Sequence, residues 1–386
     1  MPKNKDKTNL TDQQKLDLLV EFGWKVSHEN DLQALLELTA RQITDIIGAK
    51  RCFIFIKNED SGELWSSIAK GKGLEYTEIH LPLTGKSIAA QVCRTGHTVN
   101  LPDAYEDPRF SKELDLVTGF KTNSLLAVPL KNKENKTIGV LQINNKITAE
   151  PFTKKDEGLL KLMANLAAGK IEVAKLYDEV KLSNLETIYR LAVTAEYRDQ
   201  ADTKQHIVNI GELSYQIAKG LGLEESKAQT IKQASVLHDI GKIAIPDNIL
   251  LKPGKLTPEE FSVMKKHTLY GGKILQDAKS SLLKIAHKMS LYHHERFDGK
   301  GYPKGLKEEE IPLEARIVAV ADVFDALCMP RCYKKPWQIK KAYDFIIEQS
   351  GSAFDPQVVK AFKKNFAKIG PLYEQFQIKN NADYSV

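Results

Sequence analysis

A chain of 386 residues is long enough for two ordinary domains and a connector. At 42% hydrophobic and 27% charged it has soluble globular composition, without the run of about 20 apolar residues that a membrane span needs and without an apolar signal segment in its lysine-rich start, so a cytoplasmic location is expected. A net charge of +6 is too mild to point to a nucleic-acid polymer but allows a small anionic substrate, and Cys52, Cys93, Cys328 and Cys332 read as reduced thiols.

Residues 11–48 carry two helical apolar stripes, one through Leu16, Leu19, Val20 and Phe22 and one through Leu32, Leu35, Leu36, Leu38 and Ile43. The period then changes. Residues 51–56 (Arg-Cys-Phe-Ile-Phe-Ile) read as a strand, and the turn cluster 58–62 follows as a hairpin signal. Residues 125–130 and 138–143 read as a second hairpin around the polar stretch 131–136. This half is α+β. A long helical pattern follows from about 152 to 197. Leu159, Leu162, Leu166, Val173, Leu176 and Val180 fall on a heptad seam that Gly169 weakens, which suggests a two-stranded coiled coil between identical chains in preference to a helix packed on its own domain. From about 185 the pattern is helical throughout. The tail after Pro371 is polar and expected to be loosely held.

Most of the nine histidines lie between residues 206 and 294. In Ala-Ser-Val-Leu-His238-Asp239-Ile-Gly-Lys242, an apolar helical run delivers an imidazole next to a carboxylate. The carboxylate can bridge two metals through its two oxygens. A second doublet, His293-His294, precedes Glu-Arg-Phe-Asp-Gly299-Lys-Gly301-Tyr302-Pro303, whose glycines would let the backbone approach a substrate. His206, His267 and Asp322 are single candidates. His28, His97 and His287 read as ordinary histidines. Imidazole and carboxylate without thiolate suit Fe, Mn, Ni or Zn, and two such metals clamp a phosphate and activate water. So many imidazoles and carboxylates would be costly to bury without a metal.

Residues from about 185 to 366 resemble the HD-GYP family of HD phosphohydrolases. The resemblance rests on His238-Asp239-Ile-Gly-Lys242, on His293-His-Glu-Arg-Phe-Asp-Gly-Lys-Gly-Tyr-Pro303, and on Val320-Ala-Asp322-Val-Phe-Asp325-Ala-Leu327, in that order. It implies hydrolysis of cyclic di-GMP to linear pGpG, sometimes on to GMP, with two or three divalent metals, iron first and manganese as the alternative. It also implies that His206, His238, Asp239, His267, His293, His294 and Asp322 are metal ligands, with Asp239 bridging. Asp202, one turn before His206, would add a third metal. Glu196 and Asp199 are weaker candidates for an outer role. Lys242 would be the cation that steadies phosphate charge. Tyr302 and the Gly299, Gly301 and Pro303 loop would touch substrate, and Arg331 and Lys334 would hold its second phosphate, Lys335 being a surface lysine. The chain departs from the family pattern at Cys328-Met329-Pro330, at Cys332 and at Lys334, which bears on substrate affinity and turnover more than on metal. A catalytically weak receptor and a hydrolase of another cyclic dinucleotide are the competing readings.

Residues from about 25 to 155 resemble a GAF domain, on the stretches 100–110, 124–130 and 139–144. That implies a sensor for a small molecule of unspecified identity, or a dimerisation unit. Lys146 and Asp156 echo the motif of cyclic-nucleotide-binding GAF domains and read here as a fold-stabilising ion pair. The expected organisation is a helical segment at 1–24, an α+β GAF sensor at 25–155, a connecting coiled-coil helix at 156–184 and an all-α HD-type bundle at 185–386, working as a homodimer.

Overall fold

The structure is a computed structural model that describes residues 11–66, 78–112, 115–116, 119–197, 203–329 and 336–383. Asp202, Arg331 and Lys334 lie outside the described residues, as do Asp199, Pro330, Cys332 and Lys335. The chain divides into two compact units, Met1–Lys181 and Leu182–Val386.

The first unit is α+β. Helix α1 (Asp12–His28) opens with a capping box, the Thr11 hydroxyl accepting from the Gln14 N–H and the Gln14 side chain accepting from the Thr11 N–H. Helix α1 runs past residue 24 and buries Phe22 and Val26 in the same core as α2 (Leu32–Ile47) and the sheet. Six strands follow: β1 (Ala49–Asn58), β2 (Glu63–Ser66), β3 (Ile79–Pro82), β4 (Val99–Leu101), β5 (Leu125–Lys131) and β6 (Thr137–Lys146). Their order is β3-β2-β1-β6-β5-β4, with neighbours antiparallel. Both expected hairpins form, with Ile56 opposite Trp65 and Leu130 opposite Gly139. The pleat sorts alternate residues of β1 to opposite faces. Cys52, Ile54 and Ile56 pack under α1 and α2, while Phe53 and Phe55 pack under α3 (Ile88–Thr95). On the α3 side a cavity of about 450 Å³ is lined by Phe55, Leu81, Ile88, Phe110, Leu125 and Gln142.

Helix α4 (Lys154–Glu196) is the long helix the periodicity predicts. Its Asp156 carboxylate accepts from the Thr153 N–H and hydroxyl and pairs with Lys146 Nζ at 2.7 Å, the ion pair expected from sequence. One face buries Leu160, Met163, Ala164, Ala167, Ala168 and Ile171 against the sheet. The heptad seam is a different face. Leu159 packs at the core margin, while Leu162, Leu166, Val173, Leu176 and Val180 are exposed on the single chain. The helix therefore has two apolar faces, and the one on its own sheet was hidden from periodicity because alanines make much of it.

The second unit is helical: α5 (Thr203–Gly220), α6 (Glu225–Ser235), a 3-10 turn (Ile240–Ala244), α7 (Asp247–Leu250), α8 (Pro258–Met264), α9 (Lys266–Leu275), α10 (Ser281–Tyr292), α11 (Leu313–Cys328), α12 (Ile339–Glu348) and α13 (Pro356–Asp383). Helix α11 runs through the core, burying Ile317, Val318, Val320, Ala321 and Phe324 against Ile207, Ile210 and Ile217 of α5 and Val358 and Phe362 of α13. The expectation of a loose tail after Pro371 does not hold. Pro371 lies inside α13, and Tyr373 beyond it is 1% exposed with its ring edge-on to Phe324. No described helix is long and apolar enough to cross a membrane.

Candidate metal centre

The histidines converge because each stands where a helix begins or ends. Helix α6 stops at Ser235, and the chain tightens to i-to-i+3 bonding through His238 and Asp239 into the 3-10 turn. The His-Asp pair thus sits on a turn after the helix, not on the helix as the apolar run suggested. His267 is in the first turn of α9, His293 caps the C-terminus of α10, and Asp322 is on α11. The last carbonyls of a helix have no partner inside it. Here histidine Nδ1 atoms take them: His238 donates to Ser235 O at 2.9 Å, His267 to Met264 O at 2.7 Å, and His293 to Met289 O and Ser290 O at 3.1 Å. A carbonyl only accepts, so each Nδ1 carries a proton and each Nε2 is the atom turned toward the other donors.

Those Nε2 atoms meet at Asp239. Its Oδ1 lies 3.3 Å from His267 Nε2 and 3.5 Å from His293 Nε2. Its Oδ2 lies 3.4 Å from His238 Nε2 and 2.9 Å from Lys242 Nζ. Donor atoms of Asp239, His267, His293 and His294 form one group close enough to share an ion, and those of Glu196, His206 and His238 form another. Asp322 Oδ1 is 3.9 Å from His238 Nε2. His206 Nε2, His238 Nε2 and Asp239 Oδ1 are buried with no hydrogen-bond partner among the described residues. Leaving such atoms unsatisfied is expensive, and all three point into the two groups. The donor set, nitrogen and oxygen without sulfur, fits divalent transition metals.

The local field is strong. Burial disfavours charge on His238, but the Asp239, Glu196 and Asp322 carboxylates outweigh it and push its pKa up to about 10. Burial wins at His267, whose pKa falls to about 4, and at His294, which is lowered further by His293 and His267. Asp239 is buried too, yet Lys242 and His238 hold it well below the ordinary aspartate value.

Beside the first group opens a cleft of about 380 Å³ lined by His294, Tyr302, Gly301, Phe261, Lys265 and Arg296, among others. The Tyr302 ring lies 4.8 Å from that of His294, and Lys265 Nζ lies 4.8 Å from the Phe261 ring and 5.2 Å from that of Tyr302. Gly299 and Pro303 do not line it. A Cβ on Gly301 would strike the backbone of residues 294–296 at 2.3–2.6 Å, so this glycine lets the loop close on itself. The loop is held from below by Glu295, 4% exposed, whose carboxylate accepts from the N–H groups of Lys304, Gly305 and Leu306.

Residues 184–358 match the HD domain family, and residues 31–171 match the GAF domain family. The cyclic di-GMP phosphodiesterase response regulator RpfG of Xanthomonas campestris pv. campestris (strain 8004) is 45% identical over 199 residues, 52% of this chain and 52% of that protein. The 3'3'-cGAMP-specific phosphodiesterase 2 of Vibrio cholerae serotype O1 is 38% identical over 211 residues, 55% of this chain and 40% of that protein. A further protein of the same Vibrio cholerae strain, a probable cyclic di-GMP phosphodiesterase, is 33% identical over 320 residues, 77% of this chain and 69% of its own length. This chain belongs to the HD-GYP family. It carries a GAF domain ahead of the HD-GYP unit. The chain spans about half the length of the first curated relatives it matches.

Within this HD-GYP unit the structure gathers every described residue that the sequence put forward as a ligand: His206, His238, Asp239, His267, His293, His294 and Asp322. It also brings Glu196 into the second group, where sequence reasoning had given it only an outer role. Phe261, Lys265, Glu295 and Tyr373 carried no signal that singled them out. Asp325 stood inside a quoted motif without an assigned task.

Proposed function

We propose that this chain is a metal-dependent phosphodiesterase that opens cyclic di-GMP to linear pGpG, under control of its GAF unit. The observation that carries the reading is the split of Asp239, Oδ1 toward His267 and His293 and Oδ2 toward His238 and Lys242. One carboxylate serves two donor groups, the arrangement a two-metal phosphodiesterase needs. His267, His293, His294 and Asp239 would hold one divalent ion. His206, His238, Asp322 and Glu196 would hold the other, with Asp239 shared, and Asp202 remains the candidate for a third. Iron is the first choice and manganese the second. When bound, the metals supply a water made nucleophilic at neutral pH and neutralise phosphate charge.

The protein side chains do the rest. The Lys242 ammonium, held by Asp239, meets the negative charge that builds on the phosphoryl oxygens as the P–O3′ bond breaks. The Tyr302 and Phe261 rings with Lys265 between them offer a base a stacking surface and a cation. Tyr302 and the loop of Gly299, Gly301 and Pro303 are proposed to shape the substrate pocket. Arg331 and Lys334 are proposed for the second phosphate. The cavity on the α3 side of the GAF sheet is of a size for a small ligand, and the exposed α4 seam suits pairing with a second copy. We take 25–155 as sensor, 156–184 as connector and 185–386 as hydrolase.

The test is anaerobic purification, metal quantitation and cyclic di-GMP turnover on one sample, with Asp239→Ala as control. Two or more metals per chain with turnover lost in the variant supports the proposal. Full metal loading with tight nucleotide binding and no turnover in Fe- or Mn-loaded protein makes it a receptor instead. A second substrate, 3′3′-cGAMP, is favoured by the named specificity of one relative. Competition between the two nucleotides in the same assay decides it.

A further inference from the structure

One buried network touches the second donor group and comes from the far end of the chain. Asp325 lies one turn beyond Asp322 on α11 and is 0% exposed. Its Oδ2 meets His206 Nδ1 at 2.5 Å. Its Oδ1 accepts from Asn209 Nδ2 at 2.8 Å and from the Tyr373 hydroxyl at 2.6 Å. Three of the other candidate rings, His238, His267 and His293, are oriented by backbone carbonyls at helix ends three or four residues earlier. His206 is in the first turn of α5, and among the described residues its Nδ1 partner is a side chain, Asp325. With its Nδ1 proton given to Asp325, His206 presents Nε2 toward Glu196 Oε2, 3.7 Å away. The geometry points to Tyr373 as a positioning residue for the metal centre. Its hydroxyl fixes the carboxylate that fixes His206, so the last helix of the chain completes the second metal group.

The inference rests on the metal-centre reading above. It separates from a purely structural role because the Tyr373 ring has its own packing, against Phe324 at 5.2 Å between centroids, which a phenylalanine keeps. Outer-sphere partners of liganding histidines set metal affinity by about 10- to 100-fold. The test is Tyr373→Phe in the full chain, loaded with Mn²⁺ or Fe²⁺ without oxygen and titrated with a chelator while metal per chain and thermal unfolding are followed. The expected result is one metal leaving at roughly 10-fold lower chelator or less, the other leaving as in wild type, and an unchanged melting temperature. Two metals leaving at wild-type chelator concentrations overturns the inference, and so does parallel loss of both. Should Tyr373→Phe fail to fold, the ¹⁵N signals of His206 in the metal-free wild-type chain decide. An Nδ1–H tautomer bonded to Asp325 supports the link, and an Nε2–H tautomer sinks it. A wild-type chain that binds only one metal refutes the two-group reading itself, before any variant is made.

Discussion

Gly241 stands between the His-Asp pair and Lys242, and a single methyl group there should dismantle the site. A Cβ built on it lies 1.9 Å from His267 O and 2.4 Å from Gly271 N, both backbone atoms of α9. Ordinary contact begins at 3.4 Å, so the start of α9 would have to withdraw by about 1.5 Å, and a helix backbone in a close-packed core cannot do so by rotating a side chain. His267 sits on that turn with Nε2 3.3 Å from Asp239 Oδ1. Metal–ligand distances tolerate only about 0.2 Å, and a misplacement of about 1 Å costs on the order of 100-fold in rate. Gly241→Ala should therefore cost about 1–3 kcal/mol of stability, empty the group that contains His267, and lower turnover at least 100-fold. Metal content by plasma emission, turnover of cyclic di-GMP and thermal unfolding on one preparation measure all three. Gly158→Ala is the control. It is exposed on α4 with nothing within 4 Å of the new methyl, and should be neutral or gain about 0.5–1 kcal/mol. A folded Gly241→Ala chain with wild-type metal and turnover refutes the packing argument.

Lys242→Met should lower turnover by about 10²- to 10³-fold while metal content stays at the wild-type level, as expected for a group that meets charge in the transition state; loss of metal instead would assign Lys242 to holding Asp239. Asp156→Asn should destabilise the GAF unit by about 1–3 kcal/mol at neutral pH. Burial raises the Asp156 pKa, but Lys146 and Thr153 outweigh it and leave it lowered. Its stabilisation is therefore complete above the unfolded value of about 3.9 and lost as pH falls through the lower folded value, so melting curves of variant and wild type should converge only in acid. Equal melting temperatures at neutral pH would show the pair to be idle. If the proposed α4 pairing forms, Val173→Glu with Leu176→Glu, both on the exposed seam, should convert that dimer to a monomer by light scattering, with association weakened by about 100-fold or more; a monomeric wild type or an unchanged mass would remove α4 as the interface.

What could be read from the sequence followed from local physics. Strand β1 was legible as a short apolar run before a turn cluster, because both of its faces are buried, Cys52, Ile54 and Ile56 in one core and Phe53 and Phe55 in the other. The liganding doublets were visible because an imidazole beside a carboxylate, or beside another imidazole, is costly unless it has a use. The misses were long-range or chemically quiet. Ala164, Ala167 and Ala168 bury a face of α4 with almost no hydropathy signal, so the stronger exposed seam took the whole reading. Pro371 suggests a helix end because it removes a donor, yet α13 continues through it, carrying Tyr373 into the core. Glu196 closes on His206 at the end of a 43-residue helix; the end near 197 was legible in the pattern, but the contact across the break to the next helix was not.

His206 is oriented by different means from the other rings, and that difference has consequences. His238, His267 and His293 take their tautomer from carbonyls three or four residues earlier, so forming the helix ends is enough to orient them. His206 depends on Asp325, Asn209 and Tyr373, the last of them 48 residues from Asp325 along the chain. A change in the last helix can therefore loosen the group of Glu196, His206 and His238 while the group of Asp239, His267, His293 and His294 keeps its local support. Asp239 turns one oxygen to each group, so if each group held an ion as proposed, loss of one would leave this carboxylate half satisfied beside Lys242. Activity should then fall faster than metal content, since one ion alone would not neutralise the phosphate and activate water from both sides.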